Sequence, residues 1–489
     1  MLHRSILDAL RAAVDADSPS NLTGLITEPT QLRTYECDGL TALRTIPSAV
    51  LLPRSAEQVQ AIVRICAQHK IPFVARGAGT GLSGGALPAA GGIVISFARM
   101  TRILSVDIAN EQVVVEPGVI NSHVTEAVAG HGYFYAPDPS SQTVCTIGGN
   151  LAENAGGAHC LKYGFTTNHV LAADVVLPSG ELVTMGSATP DAPGYDLLGV
   201  FVGSEGTLGV ATKITLRIVK QPETVQVLLA AFDSIAAAGQ TVSDIIAACL
   251  LPAALEIMDR LSAYAAEQAV HPDYPVCEAL LLVELDGPAP EVSAQMREVE
   301  GLCLANSASE IRLAETPADR ALIWKGRKAA FAAVGRISPN AILEDGVIPR
   351  TALPTLLEAI GRLAAETGLR VANVFHAGDG NLHPIVLYDR AIPGQEQKAL
   401  DLSRRILHLC VDHGGSITGE HGVGREKQQS MGYMFSEPSL ATMQLVRRAF
   451  DPHNIANPDK LFPRPRLCAE KPGPYTPHPL EVSGQAQLF

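Results

Sequence analysis

His376 and His383 stand seven residues apart across Ala377-Gly-Asp-Gly-Asn-Leu382. A glycine-rich turn between two imidazoles lets both converge on one cation, and imidazole nitrogen suits zinc and similar transition metals. Further on, Gly414-Gly-Ser-Ile-Thr-Gly-Glu420-His421-Gly-Val-Gly424 sets a carboxylate beside an imidazole. The glycines there let the backbone come close to a cofactor or substrate. Each feature alone also has a plainer reading: a histidine hydrogen-bonded beside a turn, and a Glu-His pair at a helix start. Trp324-Lys325-Gly-Arg327-Lys328 is a cationic cluster that can meet an anion or can be a solvated helix face.

Three glycine-rich loops form a second kind of signal. Arg76-Gly77-Ala78-Gly79-Thr80-Gly81-Leu82-Ser83-Gly84-Gly85 contains Gly-x-Gly-x-x-Gly. The dinucleotide fingerprint needs a helix to start at that loop, and the following Ala-Leu-Pro-Ala-Ala-Gly-Gly forbids one. Backbone N–H groups free of Cβ can still nest around a pyrophosphate. Thr146-Ile-Gly148-Gly149-Asn150 through Asn154-Ala-Gly156-Gly157 and Gly203-Ser-Glu205-Gly206-Thr-Leu-Gly209 have the same character. Ordinary tight turns are the alternative for any one loop, and explain three together poorly.

These loops need elements to position them. Ser5 to Val14 reads as an amphipathic helix, and 18–36 as irregular. A strand at 49–53, a helix from Ser55 to His69 with an N-cap and acidic first turn, and a strand at 71–75 open a β-α-β pattern. Further strands are expected at 93–97, 103–107, 112–115, 172–177 and 211–219, with a hairpin through Pro178-Ser-Gly-Glu181. Beyond Gln221-Pro222, strands at 224–231, 254–258 and 279–284 alternate with helices at 234–249 and 259–269. That pattern predicts an antiparallel sheet covered on one face. The division is 1–44 as an N-terminal segment, 45–221 and 222–450 as two α+β domains, 451–465 as a turn-rich segment and 466–489 as a Pro-rich tail.

With 489 residues, 47% hydrophobic and 18% charged, the chain reads as globular. A net charge of −13 disfavours nucleic acid as a partner. Nine scattered cysteines include no C-x-x-C, which argues against an iron–sulfur or zinc-ribbon module and fits a reducing cytosol. The N-terminus lacks the apolar core of a signal peptide. The 22 uncharged residues from Gly77 to Ala98 hold seven glycines and Pro88, a poor membrane span. The expectation is a soluble, cytoplasmic protein, for which membrane association would need a partner.

Arg76-Gly-Ala-Gly-Thr-Gly, Pro137-Asp138-Pro139-Ser-Ser-Gln, Ile147-Gly-Gly-Asn150, Asn154-Ala-Gly-Gly157 and Val202-Gly-Ser-Glu-Gly-Thr-Leu-Gly209 together resemble the vanillyl-alcohol-oxidase (p-cresol methylhydroxylase, PCMH-type) flavoproteins. The resemblance runs from about 45 to 465. It is strongest to flavin subunits of bacterial glycolate oxidases, with D-lactate and D-2-hydroxyglutarate dehydrogenases near. It implies an FAD domain of two α+β subdomains and an α+β cap with a largely antiparallel sheet. Residues 76–84 would wrap the FAD pyrophosphate. Pro137 to Thr146, including Thr143, and Gly149 to Gly157 would line the ribityl chain and isoalloxazine, and Glu205 to Val210 would hold the adenosine half. Asn457 and Lys460, in a C-terminal element that folds back, would touch the cofactor. The first loop lacks His and Cys, so FAD is expected to be non-covalent.

By the same resemblance, His376, His383 and Glu420 would hold a divalent metal, zinc first, with manganese or iron also suited. His421 would be the catalytic base, Asn381 would contact substrate or support the site, and Arg327 would grip the substrate carboxylate bidentately. Asp345 falls at a matched position without an assigned role. Leu343 stands where 2-hydroxyglutarate enzymes carry a lysine, which favours a short monocarboxylate. The implied activity is oxidation of glycolate or D-lactate to the 2-oxo acid. Hydride would pass to flavin N5 and electrons to an acceptor other than O2, with an iron–sulfur subunit and a second flavin-type subunit as partners. The alternatives are a self-sufficient D-lactate or D-2-hydroxyglutarate dehydrogenase and a non-catalytic flavin-binding assembly subunit, the last expected to lack the His and Glu cluster.

Overall fold

Leu280 and Leu282 on one side of a strand, and Leu281, Val283 and Leu285 on the other, are all buried. Side chains alternate across a strand, so an uninterrupted apolar run fits a strand covered on both faces. The computed structural model describes residues 2–15, 23–189 and 193–463; the tail expected at 466–489 lies outside them. In the C-terminal half the sheet runs, in spatial order, Ala308–Leu313, Thr224–Phe232, Ala279–Gly287, Ala254–Asp259, Arg370–His376, Asn381–Tyr388 and Asn340–Leu343. Gly346–Val347 also pairs with Asn381–Tyr388. The pairings are antiparallel.

The expectation of one covered face is corrected here. Leu228, Ala230 and Phe232 pack against helices Ile235–Ala247, Ala289–Ala305, Leu353–Thr367 and Gln395–Asp412. Val227, Leu229 and Ala231 pack against Arg260–Val270 and Pro317–Ala333. Each fully buried Leu or Val contributes about 1.5–3 kcal/mol relative to exposure, so strands apolar at both parities favour two helical layers.

The N-terminal half holds three small sheets, the smallest pairing Tyr133–Phe134 with Val219–Lys220. In the first, Ala49–Leu51 and Phe73–Arg76 lie parallel to Ile93–Ser96, with Leu25–Ile26 antiparallel at the edge. Helix Ala56–His69 starts at Ser55, whose hydroxyl accepts from Gln58 N, and stops at Lys70 in the left-handed region. Leu10 and Val14 of helix Arg4–Asp15 enter the same core. The second sheet is antiparallel, in the order Ile103–Asp107, Gln112–Val115, Val210–Arg217, Val170–Val176, Leu182–Gly186, and includes the expected hairpin. Residues 455–457 return beside the first sheet: Phe73 N donates to Ile455 O at 2.8 Å and Asn457 N to Phe73 O at 2.7 Å.

The α+β architecture stands. The second glycine-rich loop is corrected: residues Ile147–Glu153 form a short helix, started by the Thr146 hydroxyl accepting from Gly149 N. No helix is present in 77–92, as Pro88 and the glycines require. Among the described residues no helix is long and apolar enough to cross a membrane.

Candidate active site

Strand pairing brings the first two histidines together. His376 ends one strand opposite Asn381, which opens the next, and His383 lies two residues further on. Asn381 and His383 share a face, so both imidazoles project from the same side of the sheet. On the other flank His376 is directly opposite Glu256. Glu256 Oε1 lies 2.8 Å from His376 Nδ1, and the Glu344 carbonyl lies 3.2 Å from His383 Nδ1. An acceptor at Nδ1 places the proton there and leaves Nε2 with its lone pair, the arrangement of metal-binding histidines. Those Nε2 atoms are 3.5 and 3.2 Å from Glu420 Oε1. The three donors lie within 4.8 Å of one another and form a compact, largely buried His2Glu set of the kind a divalent cation needs.

The Glu420–His421 turn is built by Asp345. This fully buried carboxylate accepts from Gly419 N at 2.9 Å, His421 N at 2.9 Å and the Thr418 hydroxyl at 2.6 Å, and from Glu420 N. Lys427 Nζ, also buried, is 3.3 Å away. Burial works to raise the Asp345 pKa, but Lys427 and the nearby histidines hold it well below the ordinary value. Glu420 is likewise held low against burial, by the adjacent His376 and His383. Burial pulls His421 down to about 4, so at neutral pH it carries a free lone pair. Its ring stacks on His383 at 5.1 Å, with Nε2 3.8 Å from Glu420 Oε1. Asn381 is buried with its amide against Gly419, and its Oδ1 has no hydrogen-bond partner among the described residues.

A cavity of about 690 Å³ opens beside the turn, and Glu420 and His421 line it, within the size range of ligand pockets. Arg76, Gly77, Ala78, Gly79, Thr80, Gly81, Leu82, Pro139, Thr146, Gly148, Gly149, Asn150, Glu205, Gly206, Gly209 and Val210 line it too. A Cβ at Gly81 or Gly206 meets no protein atom within 4 Å, so these walls are bare backbone facing open space. Arg76 Nη1, Glu153 Oε2 and Ser204 Oγ are buried at the cavity without a protein hydrogen-bond partner. Such groups call for a polar ligand, and the cradle fits FAD. A valine at Gly81 is expected to leave a folded protein that purifies without flavin, measured as the ratio of flavin to protein absorbance; full flavin content would refute the assignment.

Several expected cofactor contacts face elsewhere. Ser83 is buried, with its carbonyl accepting from Arg425 N and Glu426 N, and Gly84 backs onto Leu43 and Leu87. The Pro137 carbonyl accepts from Asn121, and Asp138 engages His159. Thr143 is exposed. Asn154 caps the helix Ile147–Glu153 and accepts from Thr167 N. Gly156 lies under Glu420 and Phe165, and Gly157 lies against the Asp138 carbonyl. Asn457 is fully used as a brace behind the cavity: its amide donates to the carbonyls of Gly85 and Glu205, and Lys460 donates to its oxygen and to Leu87 O.

Arg327 requires a larger correction. It is buried beside His376, but its guanidinium is committed to Glu256, with Nε donating at 2.6 Å and Nη2 in the same ion pair. The fork expected to meet a substrate carboxylate already holds a protein carboxylate. Glu256 was missed from sequence, although a lone acid in the apolar run Ala254–Met258 was a usable signal. Lys328, the next residue, and Phe331 and Ala332, one turn further along the same helix, line the cavity instead. The Glu205 carboxylate turns from the cavity to accept from Val423 N and Gly424 N, each at 2.7 Å, tying a flavin loop to the Glu420–His421 segment.

A family model described as "FAD binding domain" matches residues 47–186, and "FAD linked oxidases, C-terminal domain" matches 221–461. The chain is 51% identical over 437 residues to glycolate oxidase subunit GlcD of Escherichia coli, covering 89% of this chain and 88% of that one. It is 33% identical to a D-lactate dehydrogenase of Anaerostipes hadrus, covering 85% of this chain and 89% of the relative. The fold of p-cresol methylhydroxylase superposes with a TM-score of 0.78 at 17% identity, over 94% of this chain and 96% of that one. The chain therefore belongs to the FAD-linked oxidases of PCMH-type fold, in the group of the glycolate oxidase flavin subunits and D-lactate dehydrogenases, and is an FAD-linked oxidoreductase.

Proposed function

We propose that the chain oxidises a small 2-hydroxy acid, glycolate or D-lactate, to the 2-oxo acid. One observation carries the reading: Glu420 and His421, joined to His376 and His383, line the same cavity as the flavin-binding loops. Bound FAD supplies the hydride acceptor, and a divalent cation held by His376, His383 and Glu420 supplies positive charge where the hydroxyl loses its proton.

The chain's own residues do the rest. Glu256 and the Glu344 carbonyl orient the two ligand imidazoles. Asp345 fixes the turn that presents His421. His421 Nε2 accepts the hydroxyl proton, a role that requires the neutral imidazole. With Arg327 clamped by Glu256, the exposed cation lining the cavity is Lys328, and we assign it to the substrate carboxylate. Leu343 packs among apolar side chains and offers no charge to a second carboxylate, in keeping with a monocarboxylate. FAD is dissociable, and electrons leave to an acceptor other than O2 through an iron–sulfur partner subunit, with a second flavin-type subunit in the assembly.

The D-lactate dehydrogenase relative supports a second reading, a self-sufficient D-lactate dehydrogenase. The test is anaerobic flavin reduction of metal-analysed protein by glycolate, D-lactate and D-2-hydroxyglutarate, with and without added partner subunits. Bleaching by either monocarboxylate is expected. No bleaching by any of the three defeats the proposal, and a preference for the five-carbon diacid defeats the monocarboxylate assignment. Rapid stoichiometric H2O2 formation defeats the acceptor assignment.

A further inference from the structure

His159 takes no part in the chemistry described above, yet it bridges the two halves of the molecule. Its Nδ1 is 2.8 Å from Asp138 Oδ2 and its Nε2 is 3.1 Å from Glu284 Oε1. Asp138 precedes Pro139, Ser140 and Ser141 of the cavity wall. Glu284 lies in the cap strand Ala279–Gly287, and its second oxygen accepts from Trp324 Nε1 at 2.6 Å. Trp324 sits one turn before Arg327 and Lys328 on helix Pro317–Ala333.

A neutral imidazole has one N–H. Between two carboxylates it would satisfy one and set its lone pair against the other, whereas an imidazolium donates to both. The side chains of His159, Asp138 and Glu284 are 22%, 12% and 10% exposed, so solvent screens the two carboxylates poorly and the positive charge between them offsets their repulsion.

We propose that protonated His159 is a positioning residue, which holds the flavin-side loop 137–141 against the cap strand and, through Trp324, against the helix that carries Arg327 and Lys328.

Burial opposes the charge on His159, but Asp138 and Glu284 overcome it and raise the pKa well above the ordinary value. Nearby charges reinforce the same contact: Lys162 pairs with Asp286, two residues beyond Glu284, and the Tyr163 hydroxyl donates to Asp286 at 2.5 Å. From the helix, Lys328 Nζ lies 5.9 Å from the Trp324 ring; Cys160, beside His159, has its thiol pKa pushed up by burial and is neutral. Because the folded pKa is raised, the contribution of His159 is fully present below the ordinary value of about 6.5. It is lost as pH climbs through the folded value.

Trp324 is the sole tryptophan of the sequence, so its emission reports on this contact without any substrate. In the wild-type holoenzyme, emission is expected to step as pH rises from neutral into the alkaline range. His159→Gln is expected to show the high-pH emission throughout, with no step. His159→Gln should also slow anaerobic flavin reduction by about tenfold, the scale of a misplaced positioning group, with FAD and metal content unchanged. His159→Lys, which keeps a cation there, should recover rate and hold it at alkaline pH. A flat wild-type profile, or the same step in His159→Gln, overturns the proposal. If His159→Gln fails to fold, Glu284→Gln decides: removing one carboxylate must move the step to lower pH, and an unmoved step overturns the proposal. The rate measurement rests on the 2-hydroxy-acid reading, but the emission measurement does not. Wild-type flavin that no hydroxy acid bleaches would therefore sink that reading while leaving His159 to be judged by Trp324.

Discussion

His421→Ala protein will keep its FAD and lose flavin reduction by glycolate or D-lactate, on the order of 10³-fold, within the range ascribed to a positioned general base. The physical case rests on three features. The imidazole is neutral, because burial pulls its pKa to about 4. It lines the flavin cavity beside Glu420. Its backbone N–H is anchored by Asp345, so the ring is presented by a turn whose other contacts survive truncation. Stopped-flow bleaching at saturating substrate separates this from weakened binding, since loss of a proton acceptor lowers the maximal rate, whereas loss of a binding contact raises the substrate concentration needed. Retention of more than about one tenth of the wild-type reduction rate, well above what removal of a base permits, would show that His421 is not the base.

The second large effect is expected at His383. Alanine there removes one of three donors, so bound metal and flavin reduction should fall together while FAD stays in place. Loss of outer partners of a metal ligand costs about 10–100-fold in affinity or activity, and loss of a direct ligand should cost at least as much. Elemental analysis of the purified variant, paired with anaerobic reduction before and after addition of Zn2+ or Mn2+, provides the check. Glu256→Gln serves as the graded comparison, because Glu256 touches His376 Nδ1 and not the ligand face. An unchanged metal content in His383→Ala would remove the His2Glu centre from the mechanism.

Glu256 also shows where sequence reading ran short. Its acidity in an apolar strand was visible, but its partner His376 is 120 residues away and meets it only through antiparallel register. Arg327 was legible as a cation near the site. That its guanidinium is already paired was not, because pairing of a buried charge depends on which carboxylate the fold delivers. The Asn457 segment was legible as a turn. Its use as a brace between Gly85 and Glu205 needs two carbonyls that come from loops 120 residues apart in the chain.

By itself the sequence determined the chemistry available: two histidines across a turn, a Glu-His pair among glycines, loops too rich in glycine to be turns alone, and the strand and helix periods around them. These are local properties, set by residue type and short-range spacing. The tertiary structure alone decided that Asp345 organises the Glu420–His421 turn. It alone decided as well that Lys328 rather than Arg327 lines the cavity. Each of these depends on register between strands distant in sequence and on competition among buried charges for partners, which no local pattern encodes.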